Sequence, residues 1–285
     1  MTRIIVPIDF SKESLYGLDL ALVLAEKYSA HVQLVYVQKK STDYHPGTKD
    51  GEYKFAVRQF DHIIFEYTPK LPEGVKLSYI IKTGKIYKEV VNQAESFDKS
   101  FIITSTHGAS GFEQLFIGSN SFKIISATFR PVISIRGSEV PKSINEIILP
   151  LDITSDTRQK VPITAEIAKK FNARVHVLGV TGSDSIELRA KILSYSNQVC
   201  DYLKEREIDY ISDIITGNNI TDITLKYAEE NNADLISIMT EQSVSFTNFV
   251  IGSYAQQMLN KSGIPVLSIT PKELRISGQF NTNAG

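Results

Sequence analysis

IIVPIDFSKES, residues 4–14, recurs as IILPLDITSDT, residues 147–157, which sets Asp9 and Asp152 143 positions apart. Working outward, FIGSNSFKII (116–125) recurs as VIGSYAQQML (250–259), aligning Gly118 with Gly252 at a spacing of 134. RPVISI (130–135) and IPVLSI (264–269) keep that second spacing. Landmarks in the same order in both halves predict two homologous units, with a nine-residue difference absorbed between them.

Within each copy, short β-branched apolar runs alternate with longer segments of helical period, the pattern of βα units on a parallel sheet. The first copy reads as strands at 4–8, 32–37, 76–81, 100–104 and 132–135, with helices near 12–28, 50–70, 85–97 and 118–128. The second reads as strands near 146–151, 174–180, 208–215, 234–239 and 265–269, with helices near 155–171, 185–206, 220–231 and 250–261. Pro162 falls early in the helix of 155–171 and is expected to end or kink its first turn. The predicted class is α/β: two tandem domains, 1–138 and 144–272, each a five-stranded, mainly parallel sheet with helices on both faces. GSEVPKS (137–143) reads as the linker and the polar 273–285 as a frayed tail. The last strand of each copy, VISI or VLSI, is apolar and would lie at a sheet edge. Such edges need covering, so the halves are expected to pack through them as a pseudo-twofold pair, with further homodimerisation left open.

Composition narrows the function. The 285 residues carry 31 Lys and Arg against 32 Asp and Glu, and 17 against 15 within residues 1–140. Neither half is a basic arm, which argues against duplex nucleic acid as a partner. No apolar run approaches a membrane span or a signal-peptide core, and a lone Cys200 excludes a disulfide framework, so a cytoplasmic location is expected. Cys200 sits in a helical pattern and reads as a small buried side chain. The five histidines, at 31, 45, 62, 107 and 176, show no metal-ligand spacing, so no protein metal site is expected.

Sheets covered on both faces bind ligands beyond the carboxyl ends of their strands. Three places there stand out in the first copy: Pro7, Ile8 and Asp9 after the first strand, Gly84 after the third, and STHGASGFEQLFIGSN (105–120) after the fourth. That last segment ends with Gly118 and Ser119 opening a helix, whose unpaired N–H groups and dipole favour an anion. The hydroxyls of Ser119 and Ser121, with Lys123 one turn in, complete a candidate phosphate cradle. The alternative is that Ser119 only caps the helix. Neither GxxxxGK[ST] nor GxGxxG occurs.

The repeat unit resembles the universal stress protein family, whose ATP-binding members carry G-x2-G-x9-G-[ST] before the last helix. Here Gly108, nine residues, then Gly118 and Ser119 match, while Ser105 stands at the first glycine position. PIDFS (7–11) and KTGKIYKEVV (82–91) match the family's opening and third-strand turns, so the resemblance covers nearly the whole chain as two units. It implies a Rossmann-like fold of the adenine nucleotide alpha hydrolase type and an adenine nucleotide, ATP, ADP or AMP, with any Mg arriving with the phosphates. Asp9 and Val37 would line the adenine and ribose side. Ser105, His107 and Gly108 would form the ribose and phosphate turn, and Gly118, Ser119 and Asn120 would meet the phosphates.

The second copy keeps Asp152, Gly217, Gly252 and Ser253, but Gly108, His107, Ser105, Asn120 and Lys123 become Gln242, Glu241, Met239, Tyr254 and Gln257. A carboxylate appears and a cation is lost, so that copy is expected to be vestigial toward a polyphosphate. The functional expectation is a stress-response regulator binding one adenylate in the first domain. A slow ATPase and a nucleotide-free interaction scaffold are the alternatives. Only His107 offers a general base, which places binding ahead of turnover.

Overall fold

The computed structural model describes residues 1–38, 46–106, 118–240 and 251–271. In the first half, β1 (Arg3–Pro7), α1 (Lys12–Tyr28), β2 (His31–Gln38), α2 (Pro46–Tyr67), β3 (Lys76–Thr83), α3 (Ile86–Glu95), β4 (Ser100–Ser105), α4 (Ser119–Ala127) and β5 (Val132–Ile135) follow the predicted order. The second half repeats it as β6 (Glu146–Leu151), α5 (Val161–Phe171), β7 (Arg174–Thr181), α6 (Ile186–Lys204), β8 (Tyr210–Thr216), α7 (Ile220–Glu230), β9 (Leu235–Met239), α8 (Ser253–Lys261) and β10 (Val266–Ile269).

Local chemistry explains the helix limits. Ser11 caps α1 by accepting the Ser14 N–H at 3.2 Å, with Glu13 in the first turn and Lys27 in the last to suit the dipole. In the second half Pro162 divides the corresponding segment. A 3-10 turn (Ser155–Arg158) comes first, and α5 starts at Val161 with the proline in its first turn, where the missing N–H costs no helical bond.

The strands form one ten-stranded sheet in the order β3-β2-β1-β4-β5-β10-β9-β6-β7-β8. Every neighbouring pair is parallel except β5 with β10. At that seam Ile133 lies opposite Leu267, flanked by Val132 opposite Ser268 and Ser134 opposite Val266. Because 133 and 267 are 134 apart, Ile133 faces its own repeat equivalent, and the pseudo-twofold axis passes through that pair. Each terminal strand thus covers the apolar edge of the other.

Alternate side chains go to opposite faces of the sheet. Ile4 and Val6 join a buried cluster with α1, α2, α5 and α6, whereas Ile5 joins one with α3, α4, α7 and α8. Both clusters run across the seam into the other half, so the two repeats share cores instead of meeting through a polar interface. Ile133 and Leu267 are both fully buried there. Each such side chain contributes about 1.5–3 kcal/mol relative to exposure. A Lys99–Glu166 ion pair at 2.8 Å also links the halves, but both partners are partly exposed and add little. Cys200 is buried as expected, and burial pushes its thiol pKa up.

At the opposite ends of β1, β2 and β3, the Arg3 guanidinium donates to His31 Nδ1, and His31 Nε2 lies 2.7 Å from Ser78 Oγ. Burial and the positive charges of Arg3 and Lys76 hold the His31 pKa below its ordinary value. The unfolded chain therefore takes up this proton first as pH falls below about 6.5, and stability drops until the folded ring also titrates. Above that window the group contributes no pH dependence. Thermal unfolding of the wild type and His31→Gln between pH 7.5 and 5 is expected to show a shallower loss in the variant; parallel curves would reject this origin.

Candidate functional site

The first-half strand order, β3-β2-β1-β4-β5, reverses between β1 and β4, where successive crossovers depart in opposite directions and leave a crevice at the carboxyl ends. Of the residues read from the sequence, those described lie at or just past the ends of β1, β2 and β4 and at the start of α4.

Pro7 ends β1, and Ile8 is buried with its N–H donating to Val35 O at 2.9 Å, which fixes the exit of the chain. Asp9 follows at the mouth. One carboxylate oxygen accepts the Ser11 N–H at 3.1 Å and the Ser11 hydroxyl at 2.5 Å, while Ser11 caps α1. Between them Phe10 takes a left-handed φ of 65°, an unfavoured state for a bulky residue. Its ring packs against Tyr36, Phe55 and Phe60 at centroid distances of 4.9, 5.9 and 5.1 Å, which offsets the strain. Tyr36 donates to Glu52 at 2.9 Å; burial, that hydrogen bond and the Glu52 and Asp9 charges push its pKa up to about 12. Val37 is buried on the other face of β2, packed in the cluster that holds α3 and α4.

Across the crevice, β4 ends at Ser105. The Gly118 N–H donates to Thr106 O at 2.6 Å, and a Cβ on Gly118 would stand 2.9 Å from that oxygen. Glycine is required by this approach and not by its φ of −57°, which any residue adopts. Gly118 is the N-cap of α4, and no side chain among the described residues caps that helix. Ser119 is the first helical residue and lies exposed beside Asn120. The expectation for Ser121 is corrected. Its side chain is buried and its hydroxyl donates to Ser105 O at 2.6 Å, tying α4 to β4 and leaving nothing for a ligand. His107 and Gly108 lie outside the described residues.

The equivalent reversal in the second half falls between β6 and β9. Asp152 repeats the Asp9 turn, accepting the Thr154 N–H at 2.8 Å and hydroxyl at 2.5 Å. The degraded motif does not close this site. A cavity of about 670 Å³ opens there, lined by Asp152, Val180, Asn219, Met239, Ser253 and Tyr254 among others. Lys160 also lines it, a residue the sequence pattern did not single out. The available signal was Pro162, which breaks the helix and makes Lys160 the N-cap of α5.

Both halves match the family model for the universal stress protein family, over residues 1–136 and 144–269, and the chain belongs to that family. Universal stress protein YxiE of Bacillus subtilis (strain 168) is 26% identical over 145 residues, 47% of this chain and 98% of the relative. A universal stress protein structure from Archaeoglobus fulgidus DSM 4304 covers 94% of this chain and 98% of its own at TM-score 0.77 and 18% identity, a likeness of fold across both repeats. A universal stress protein solved in complex with cAMP covers 45% of this chain and 97% of its own at 18% identity and TM-score 0.37. Among the described residues no helix is long and apolar enough to cross a membrane, and no group of three His, Cys, Asp or Glu side chains is placed to hold a metal.

Proposed function

We propose that the protein is a cytoplasmic stress-response regulator that takes up one adenine nucleotide, ATP, ADP or AMP, in the crevice of its first half. The observation that carries this reading is the start of α4. Gly118 brings the helix against the end of β4 closely enough to exclude a Cβ, and among the described residues no side chain caps its start. On this reading its first N–H groups and dipole end would meet the ligand across from Asp9, and such an end favours phosphate. The adenosine would then lie between Asp9 and Val37, with Ser105, His107 and Gly108 at the turn and Ser119 and Asn120 toward the phosphates. Any Mg²⁺ would arrive with those phosphates, since they supply its hard oxygen ligands.

Asp9 both shapes the α1 entry and borders the nucleoside. Asp9→Ala is expected to lower adenylate affinity about tenfold while costing about 1 kcal/mol of stability, the scale of one lost turn hydrogen bond. Calorimetric titration beside a denaturant melt checks both effects. Unchanged affinity in a folded variant would remove Asp9 from the site. Native mass spectrometry of protein purified without added nucleotide tests the reading itself. A retained adenylate mass supports it, and a chain that carries and accepts none leaves the scaffold alternative.

A further inference from the structure

Among the described residues, β3 and β8 are the outer strands of the sheet, and nothing pairs with their outward sides. They are repeat equivalents. Val32 pairs with Leu77 and Val175 with Tyr210, and since 32 and 175 are 143 apart, position 77 corresponds to 210. An edge of this kind presents a row of N–H and C=O groups to any further strand. The two edges differ in charge. Toward the face that carries α3, β3 projects Lys76, Ser78, Ile80 and Lys82. Toward the face that carries α7, β8 projects Ile211, Asp213 and Ile215, and Asp209 precedes them on the same side, where it meets Arg174 of β7.

These groups are open to solvent. Ile211, Ser212 and Asp213 are exposed in succession, Ile211 at 39%, and Asp209 is 63% exposed. Lys76 is exposed, Lys82 is half-buried, and neither forms an ion pair among the described residues. Asp209 takes the Arg174 Nε–H on one oxygen at 2.7 Å, and Asp213 takes the Tyr227 hydroxyl on one oxygen at 3.5 Å. Charges on an edge strand commonly prevent pairing. Here they bar like edges. A second β3, paired antiparallel about Tyr79, would set Lys76 against Lys82 twice, and a second β8 would gather Asp209 and Asp213 of both copies on one face.

We infer that the partner of these edges is a second copy of this chain, bound head to tail with β3 of one copy antiparallel to β8 of the next. Placing Ile80 opposite Ile211 of the next copy sets Lys82 opposite Asp209, Ser78 opposite Asp213 and Lys76 diagonal to Asp213, all on one face. On the other face the same register brings Leu77 opposite Ile214 and Ile81 opposite Tyr210. The two halves run antiparallel at the β5–β10 seam, so β3 and β8 point in opposite directions within one chain. A second copy shifted sideways therefore continues the sheet, with α2 and α6 on one face and α3 and α7 on the other. Arg174 offsets part of the Asp209 charge, whereas Asp213 has no cation at ion-pair distance among the described residues and discriminates more. A heterologous contact of this kind leaves one edge of each type free on every complex, so copies add in rows and do not stop at a dimer. The inference does not rest on adenylate binding.

The test is sedimentation velocity with light scattering on the full chain at low salt, from micromolar to near-millimolar concentration. The average mass is expected to rise with concentration past that of a dimer and to fall when salt is added, since the pairs that select the partner are exposed. Reversing one edge, by Lys76→Glu with Lys82→Glu or by Asp209→Lys with Asp213→Lys, is expected to weaken association at least tenfold. A chain carrying all four substitutions regains it, which mere damage to the fold would not produce. Circular dichroism melts confirm that each variant is folded. Should a reversal fail to fold, Ile211→Lys at its exposed position is expected to weaken association by itself. A monomer mass at every concentration, a mass that stops at the dimer, or association unchanged in a folded reversal or in Ile211→Lys overturns the proposal.

Discussion

Ile133→Asp is expected to abolish the folded chain at 37 °C, with both halves lost in one transition. Ile133 sits on the pseudo-twofold axis opposite Leu267 and is fully buried. Across the seam its nearest strand partners are Leu267, Ser268 and Val266, none of them a cation that could pair with a carboxylate. An unpaired buried charge costs about 3–5 kcal/mol, a large share of the roughly 5–15 kcal/mol that holds a domain together. Since both cores cross the seam, damage at one strand reaches the other repeat. Calorimetry or denaturant melts followed by circular dichroism would check this. Retention of an independent, wild-type-like transition for half of the signal would mean that the repeats fold separately and merely abut.

Gly118→Val is expected to reduce adenylate binding at least a hundredfold and to cost about 1–3 kcal/mol of stability. The Cβ alone would stand 2.9 Å from the Thr106 carbonyl oxygen, a backbone atom that cannot rotate away. Either α4 retreats or β4 bends, and overpacking of this kind costs a few kcal/mol. Retreat also carries Ser119 and Asn120 out of place, so binding suffers more than folding. The same substitution at Gly252 is predicted to leave adenylate binding unchanged, because the second copy has lost the surrounding motif. Isothermal titration of both variants makes the comparison; equal losses would contradict the asymmetry, and no loss from Gly118→Val would remove α4 from the site.

Much of the fold was legible because two periodicities repeat at fixed offsets. The α1 limits and β5 and β6 fall where the pattern put them, and the seam follows from two apolar terminal strands that each needed a neighbour. Pro162 announced the division of the helix before α5. Side-chain direction at that division was not legible: Lys160 becomes a buried N-cap through the turn geometry, which no 3.6-residue pattern encodes. Ser121 shows the same limit, since a serine one turn into a helix serves equally for ligand or framework until the end of β4 is placed beside it. The second mouth was read by motif loss alone. Substitutions that oppose one ligand need not fill the space it would occupy, and here they leave a cavity with a different charge pattern.

The claim that one chain pairs an adenylate-binding half with a half that has given up that ligand is tested most directly by a stoichiometry. Titration of the full chain, stripped of nucleotide, with ATP and Mg²⁺ is predicted to give one site per chain, lost in Gly118→Val and kept in Gly252→Val. Two equivalent sites, or no site at all, would contradict it.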